Sequence, residues 1–302
     1  MRGMGKGMGL GKGKGMGWRT TDDVAEFLDA AGAFLRAERA RNTVLLSVTE
    51  QMRRSPSLYS AGPGDGPLLG WWTGLSGAVG GAFLQTPPFP VVVTDVPAAV
   101  AVDLAAQLAG RPLPGVNAHP AVAEAFAGAW KSATGSQVEV HREQRLYRLA
   151  ELSWRPGPVP PGAARIATEA DAGLLTEWFL AFTTEVHDMA HHGDQAADVR
   201  QRLGYGGLTV WEAGGEIVSL AGVTRPVAGM VRVGPVYTPP DKRGFGYASA
   251  VTAAISQQAL DAGAEEVLLF TDLANPVANS IYQRIGYRPV EDRVVLAFSP
   301  AA

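Results

Sequence analysis

The chain has 302 residues, of which 46% are hydrophobic and 18% charged, with a formal net charge of -3. That suits roughly two globular domains and gives no reason to expect nucleic acid as the main partner. There is no cysteine, which excludes disulfides, a thiolate nucleophile and cysteine-based metal sites, and no run is long and apolar enough to span a bilayer.

Residues 1–17 place glycine at every odd position from Gly3 to Gly17, alternating with Arg2, Met4, Lys6, Met8, Leu10, Lys12, Lys14 and Met16. Such a segment buries too little to fold and lacks the apolar core of a signal peptide. It reads as a disordered tail, an extension upstream of a start near Met16.

A first unit, 18–153, is expected to open with a helix. Thr21 reads as its N-cap, Asp22 and Asp23 fall in the first turn, and Val24, Phe27, Leu28, Ala31 and Leu35 recur at helical spacing. Leu69–Thr86 and Phe89–Thr94 read as strands broken by Gly and Pro-Pro. Ala98–Ala109 and Pro120–Ser132 read as helices, and Gln137–Leu149 as a closing strand. The expected order is α, β, β, β, α, α, β. The stretch 154–162 is rich in Pro and Gly and reads as a stiff linker.

In the second unit, 163–302, Thr168 to Asp171 cap a helix with Leu174, Leu175, Trp178 and Phe182 on its apolar stripe. A short helix over Asp194–Leu203 and strands over Gly207–Glu212, Glu216–Arg225 and Met230–Thr238 follow. After the break at Pro239-Pro240 comes Arg243-Gly244-Phe245-Gly246-Tyr247-Ala248, opening an apolar helix that runs to about Ala262. Glycines let the backbone approach a ligand, the free N–H groups and dipole of a helix start favour an anion, and the arginine fork fits phosphate. The turn is therefore expected to hold a phosphate or pyrophosphate. A strand over Glu265–Thr271, a helix over Val277–Arg284 and a strand near Arg293–Phe298 complete the unit. A dinucleotide-binding turn is disfavoured, because Ser249 stands where the third glycine belongs and five residues separate strand from turn.

Arg243, Gly246 and Ala248 fill the first signature of the GNAT acyltransferase superfamily, and Asn275, Asn279, Tyr282, Gly286 and Tyr287 fit the second, in the expected order. The second half resembles that family. The first half resembles a diverged copy, as in tandem GNAT proteins; Val93-Thr94-Asp95-Val96-Pro97, before its third-strand helix, has neither glycine nor arginine, so it is not expected to bind coenzyme A in that way. The implied fold class is α/β, a mixed, mostly antiparallel sheet flanked by helices in each of two GNAT-like domains.

The resemblance implies acetyl transfer from acetyl-CoA, as co-substrate, to a primary amine by direct attack, without a metal. It places the coenzyme on Val236, Tyr237, Thr238, Arg243, Gly244, Phe245, Gly246, Tyr247, Ala248, Asn275 and Asn279. A backbone N–H near Val236 would meet the thioester oxygen. Asn275 before Pro276 suits an N-cap equally well. Tyr282 is the expected general acid, with core packing as its alternative. Glu185 is the first choice of general base and His187 the second, from a cluster with Asp188, His191 and His192. His187 and His191 lack a third metal ligand. The acceptor is a small-molecule, peptide or protein amine, with the acids near Glu185 favouring a cationic one; the setting is cytoplasmic, with no nucleic acid or membrane partner. The alternative is a non-enzymatic acetyl-CoA sensor or scaffold.

Overall fold

In the computed structural model, residues 15–56, 66–153, 159–186 and 194–300 are described. The order in the first half is β1 (Gly17–Thr21), α1 (Val24–Ala37), α2 (Thr43–Arg54), β2 (Leu68–Thr73), β3 (Val79–Gln85), β4 (Val91–Val93), α3 (Ala98–Leu108), β5 (Gly115–Ala118), α4 (Pro120–Thr134) and β6 (Gln137–Leu149). The second half carries β7 (Ala163–Ile166), α5 (Ala172–Glu185), α6 (Gln195–Leu203), β8 (Leu208–Ala213), β9 (Glu216–Val223), β10 (Met230–Tyr237), α7 (Tyr247–Asp261), β11 (Glu266–Asp272), α8 (Pro276–Ile285) and β12 (Tyr287–Ser299). It follows the expected order except that β7 precedes the first helix and β12 begins six residues before the expected Arg293.

The first half departs from its expected order in four places. It opens with a strand, not a helix: Gly17 to Thr21 pair antiparallel with Thr73 to Leu69, so the end of the expected tail is ordered. Asp23, not Thr21, caps α1, because its carboxylate accepts from the N–H groups of Ala25 and Glu26. The helix α2 was not expected, since Thr43, Val44, Val48 and Thr49 are poor helix formers. It forms because Leu45, Leu46 and Met52 face the core; the buried Thr49 hydroxyl is satisfied by donating back to Leu45 O at 2.7 Å. The strand β5 is too short to see in sequence and depends on Gly115, where a Cβ would stand 2.2 Å from Leu296 O. The tail at 1–14 and the linker at 154–158 lie outside the described residues.

The described strands join into one sheet in the order β1-β2-β3-β4-β5-β12-β6-β11-β10-β9-β8-β7. The pairing is mostly antiparallel, with parallel pairs at β4–β5 and β10–β11. The two halves exchange their last strands. β12 lies between β5 and β6, both from the first half, while β6 lies between β12 and β11, both from the second. Arg145 of β6 clamps Asp292 of β12 with two hydrogen bonds of 2.6 and 2.8 Å.

Helices cover both faces. α3 and α4 pack Leu104, Phe126 and Trp130 onto β3–β5 and β12. α1 and α2 bury Phe27, Leu35, Leu46 and Met52 against strands of both halves, reaching Leu146 of β6, Met230 of β10 and Leu268 of β11. α7 and α8 cover the opposite face of β9–β11, around Val251, Ile255, Ile285, Tyr147 and Tyr287. Among the described residues no helix is long and apolar enough to cross a membrane.

Candidate active site

The site begins where β10 leaves β11. The parallel ladder runs from Met230↔Glu266 to Val233↔Leu269 and stops. On its other side, β10 slips register against β9 between Val233 and Val236. Gly234 has φ 148 and Pro235 has no N–H to give, so the bulge falls where the ladder cannot continue. The end of β10, Val236 to Thr238, is thereby separated from β11.

The glycine turn faces the same opening. Gly244 and Gly246 have φ 85 and 86, a left-handed backbone that side chains resist. A Cβ at Gly246 would have room in the protein, its nearest neighbour being Pro160 at 4.0 Å. The glycine is therefore needed for its backbone conformation and not for space within the protein. Gly246 is the N-cap of the 15-residue helix α7, with no capping side chain and no acid in the first turn. The first N–H groups of α7 thus remain without side-chain acceptors, an arrangement that suits an anion.

Across the turn, Arg243 Nη2 donates to both Glu185 oxygens, at 2.9 and 2.8 Å, and Arg243 Nε donates to Thr238 O at 2.9 Å. The guanidinium lies 5.9 Å from the ring centre of Tyr237. Burial, and then the charge of Glu185, push the Tyr237 phenol above its ordinary pKa. Both members of the ion pair are about half exposed, so it is a weak and exchangeable tie.

The third wall is α8. Asn275 caps it by accepting from Ala278 N at 3.0 Å, with Pro276 at the first helical position. Tyr282, about two turns on, packs edge-on against Tyr287 with ring centres 6.1 Å apart. The Tyr287 hydroxyl pairs with Ser256 at 2.7 Å; the Tyr282 hydroxyl has no hydrogen-bond partner among the described residues. Burial pushes the Tyr282 pKa up to about 12, so the phenol keeps its proton.

These walls enclose a groove of about 630 Å³, lined by Glu185, Val236, Tyr237, Thr238, Arg243, Gly244, Gly246, Tyr247, Ala248, Asn275 and Tyr282. Its size lies within the range of cofactor sites. Two expected residues lie elsewhere. Phe245 is 63% exposed and stacks on Tyr247. Asn279 donates to Asp272 O and Asn275 O and accepts from the Tyr147 hydroxyl, which places it beside Arg145 and Gln283 rather than in the groove. His187, Asp188, His191 and His192 lie outside the described residues. Sequence reasoning missed Phe182, Ala278 and Ile281, apolar wall residues without a chemical signature. It also missed Tyr147, which comes from β6 of the first half and holds α8 through Asn279 and Gln283. Only the strand exchange brings it there.

In the first half the corresponding gap is filled. Arg293 of β12 is 4% exposed, and its Nη2 bridges Val93 O of β4 and Asn117 O of β5 at 3.0 and 2.9 Å. Its other nitrogens bond Asn117 Oδ1 and the buried Glu291, each at 3.1 Å. The helix that follows, α3, begins at Pro97 without a glycine turn.

Residues 173–287 match the model of the acetyltransferase (GNAT) family. The chain carries a GNAT domain. Comparison with curated protein sequences gives no match. Among solved structures, a Drosophila protein of 14% identity superposes with a TM-score of 0.62, covering 95% of this chain and all of that one. A GNAT-family acetyltransferase from Colwellia psychrerythraea, 11% identical, gives 0.57 over 93% and 98% of the two chains. A tandem GNAT protein from the clavulanic acid biosynthesis pathway, 15% identical, gives 0.52 over 94% and 99%. At these identities the likeness is one of fold, and it spans both halves. The GNAT domain contains the whole parting of β10 from β11, the glycine turn and Tyr282, and it supports a general role in acetyl transfer.

Proposed function

We propose that the protein moves an acetyl group from acetyl-CoA to a primary amine by direct attack. The observation that carries this reading is the unpartnered Tyr282 hydroxyl, in one groove with the open N-terminus of α7 and the freed end of β10. Acetyl-CoA supplies the activated thioester. Gly244 to Ala248 hold its pyrophosphate through backbone N–H groups, and Arg243 turns from Glu185 to the phosphates. Val236 to Thr238 offer an unpaired strand edge to the pantetheine arm, and the N–H at Val236 stabilises the oxyanion. Asn275 lies along the same arm.

Glu185, released from Arg243, takes the proton of the incoming amine, and Tyr282 donates to the departing sulfur. The burial that keeps the phenol protonated also raises the proton affinity of a thiolate beside it. With no cysteine in the chain, an acyl-enzyme on sulfur is excluded. The chemistry suits a cytoplasmic setting with a supply of acetyl-CoA.

The test is steady-state acetyl transfer over a panel of amines. Tyr282→Phe is expected to lower kcat by about 10²-fold, the scale of a general acid, with little change in the acetyl-CoA KM. An unchanged kcat would remove the acid role. Coenzyme binding by calorimetry without transfer to any amine would favour the sensor reading.

A further inference from the structure

A second cavity, of about 170 Å³, lies on the other face of the sheet, where α2 of the first half meets α6 and the β9–β10 connection of the second. Four arginines and two acids line it. Arg54 is paired with Glu50 at 2.7 Å and Arg202 with Asp198 at 3.2 Å. Among the described residues Arg225 and Arg232 have no carboxylate partner. Among the described residues the cavity therefore carries two uncompensated positive charges.

Arg232 projects from β10 beneath α2. Its side chain makes one hydrogen bond, from Nη1 to Ser47 Oγ at 3.2 Å. Desolvation, and then the nearby charge of Arg202, lower its pKa to about 10. An arginine has five N–H donors, so most of those on Arg232 lack acceptors among the described residues. The Arg225 guanidinium lies over the Tyr205 ring, 4.2 Å from its centre, and among the described residues no hydrogen bond occupies its donors. A stacked guanidinium keeps its N–H edge free for a bidentate oxyanion. Arg225 and Arg232 come from one hairpin: Arg232 N donates to Thr224 Oγ1 at 2.9 Å and Thr224 N to Arg232 O at 3.0 Å.

Holding a desolvated cation without a counter-ion is unfavourable unless something supplies the charge. We infer that this cavity is an anion-binding site, with Arg225 and Arg232 gripping the carboxylate or phosphate of a small molecule. Its volume equals roughly five or six waters, which suits a ligand the size of an amino acid or a short dicarboxylate. The bulge of β10 links the cavity to the groove described above. Arg202 forms part of its wall and donates to Gly234 O at 2.9 Å, two residues before Val236. The anion belongs either to the amine acceptor itself, whose other end would reach the parting of β10 and β11, or to a separate effector. The site stands whether or not the groove at Arg243 takes coenzyme A.

The test titrates the full chain with succinate and with inorganic phosphate, using succinamide as the uncharged control, by isothermal titration calorimetry. Succinate or phosphate is expected to bind in the millimolar range or tighter. Arg225→Ala and Arg232→Gln should each weaken binding at least tenfold, and Arg243→Ala should leave succinate binding intact. Among the described residues Arg225 makes no hydrogen bond or ion pair, so its variant keeps the test valid if Arg232→Gln does not fold. Binding that survives Arg225→Ala but is lost in Arg243→Ala would overturn the inference, as would equal binding of succinamide or no heat at about 10 mM anion. In transfer assays, succinate competing with the amine assigns the anion to the acceptor, and a kcat change at constant amine KM assigns it to an effector.

Discussion

Removing the guanidinium of Arg293 tests how firmly the two halves are joined. Arg293 and Glu291 are 4% and 5% exposed, and the guanidinium makes four hydrogen bonds, two of them to carbonyls on different strands. In Arg293→Met the carboxylate of Glu291 stays buried without its cation, and Val93 O and Asn117 O lose a donor. Breaking a buried pair in this way costs about 3–5 kcal/mol. For a chain of this length the unfolding entropy makes 1 kcal/mol worth about 1.6 °C, so the melting temperature should fall by about 5–8 °C. Glu291→Met combined with Arg293→Met leaves no charge behind and should recover much of the loss, because an apolar pair often replaces a buried ion pair without penalty. Calorimetry and urea denaturation of the wild type, both single variants and the double variant complete the cycle. A loss under about 1 kcal/mol in Arg293→Met, within the range of ordinary surface changes, would refute the reasoning. So would a double variant no more stable than the single one.

Three further outcomes are expected. Gly246→Val meets no protein atom closer than Pro160 but must adopt φ near 86; about 1–3 kcal/mol of strain and a side chain facing the groove should raise the acetyl-CoA KM more than tenfold, about 1.4 kcal/mol, and an unchanged KM in steady-state kinetics would remove the coenzyme from this turn. Burial raises Tyr282 from 10.0 to about 12, so its neutral form is favoured in the fold; that contribution to stability is complete below pH 10 and fades as pH rises towards 12. Tyr282→Phe should flatten this part of the melting curve against pH, and an unaltered slope would mean that the phenol is not buried. Asp171 is held down at about 2, chiefly by Arg165 and also by Thr168, so its contribution is complete above about pH 4 and is lost as pH falls towards 2. Because Arg165 is 38% exposed, Asp171→Asn should cost only about 1 kcal/mol at neutral pH after screening, measured by urea denaturation; no cost would show that the capping box carries the helix start without its charge.

The second half was legible because its chemistry is local. A glycine turn before a helix, an Asn-Pro cap and a tyrosine two turns later are all visible within short windows, and the structure gathers them in one groove. Asn279 has the right spacing, but its amide is spent on Asp272 O, Asn275 O and Tyr147. That could not be read without knowing which strand lies beneath α8. The first half was less legible because its elements depend on distant partners. β1 exists through Trp18 opposite Trp72, β5 through the approach of Gly115 to Leu296, and α2 through burial that overrides weak propensity. The cavity at Arg232 had no local signal at all, since Ser47 and Arg232 are 185 residues apart.

The exchanged strands also set the order in which this chain can be completed during synthesis. When β6 emerges from the ribosome, both of its eventual neighbours, β11 and β12, are still untranslated. Its 13 residues, and the open side of β5, present unpaired N–H and C=O groups until the final strand arrives. The nascent first half is therefore an unfinished sheet with sticky edges, the kind that recruits chaperones or other chains. A chain cut before residue 287 would hold β6 and β11 side by side with no β12 to close them. β12 closes the sheet from its middle, joining β5 to β6.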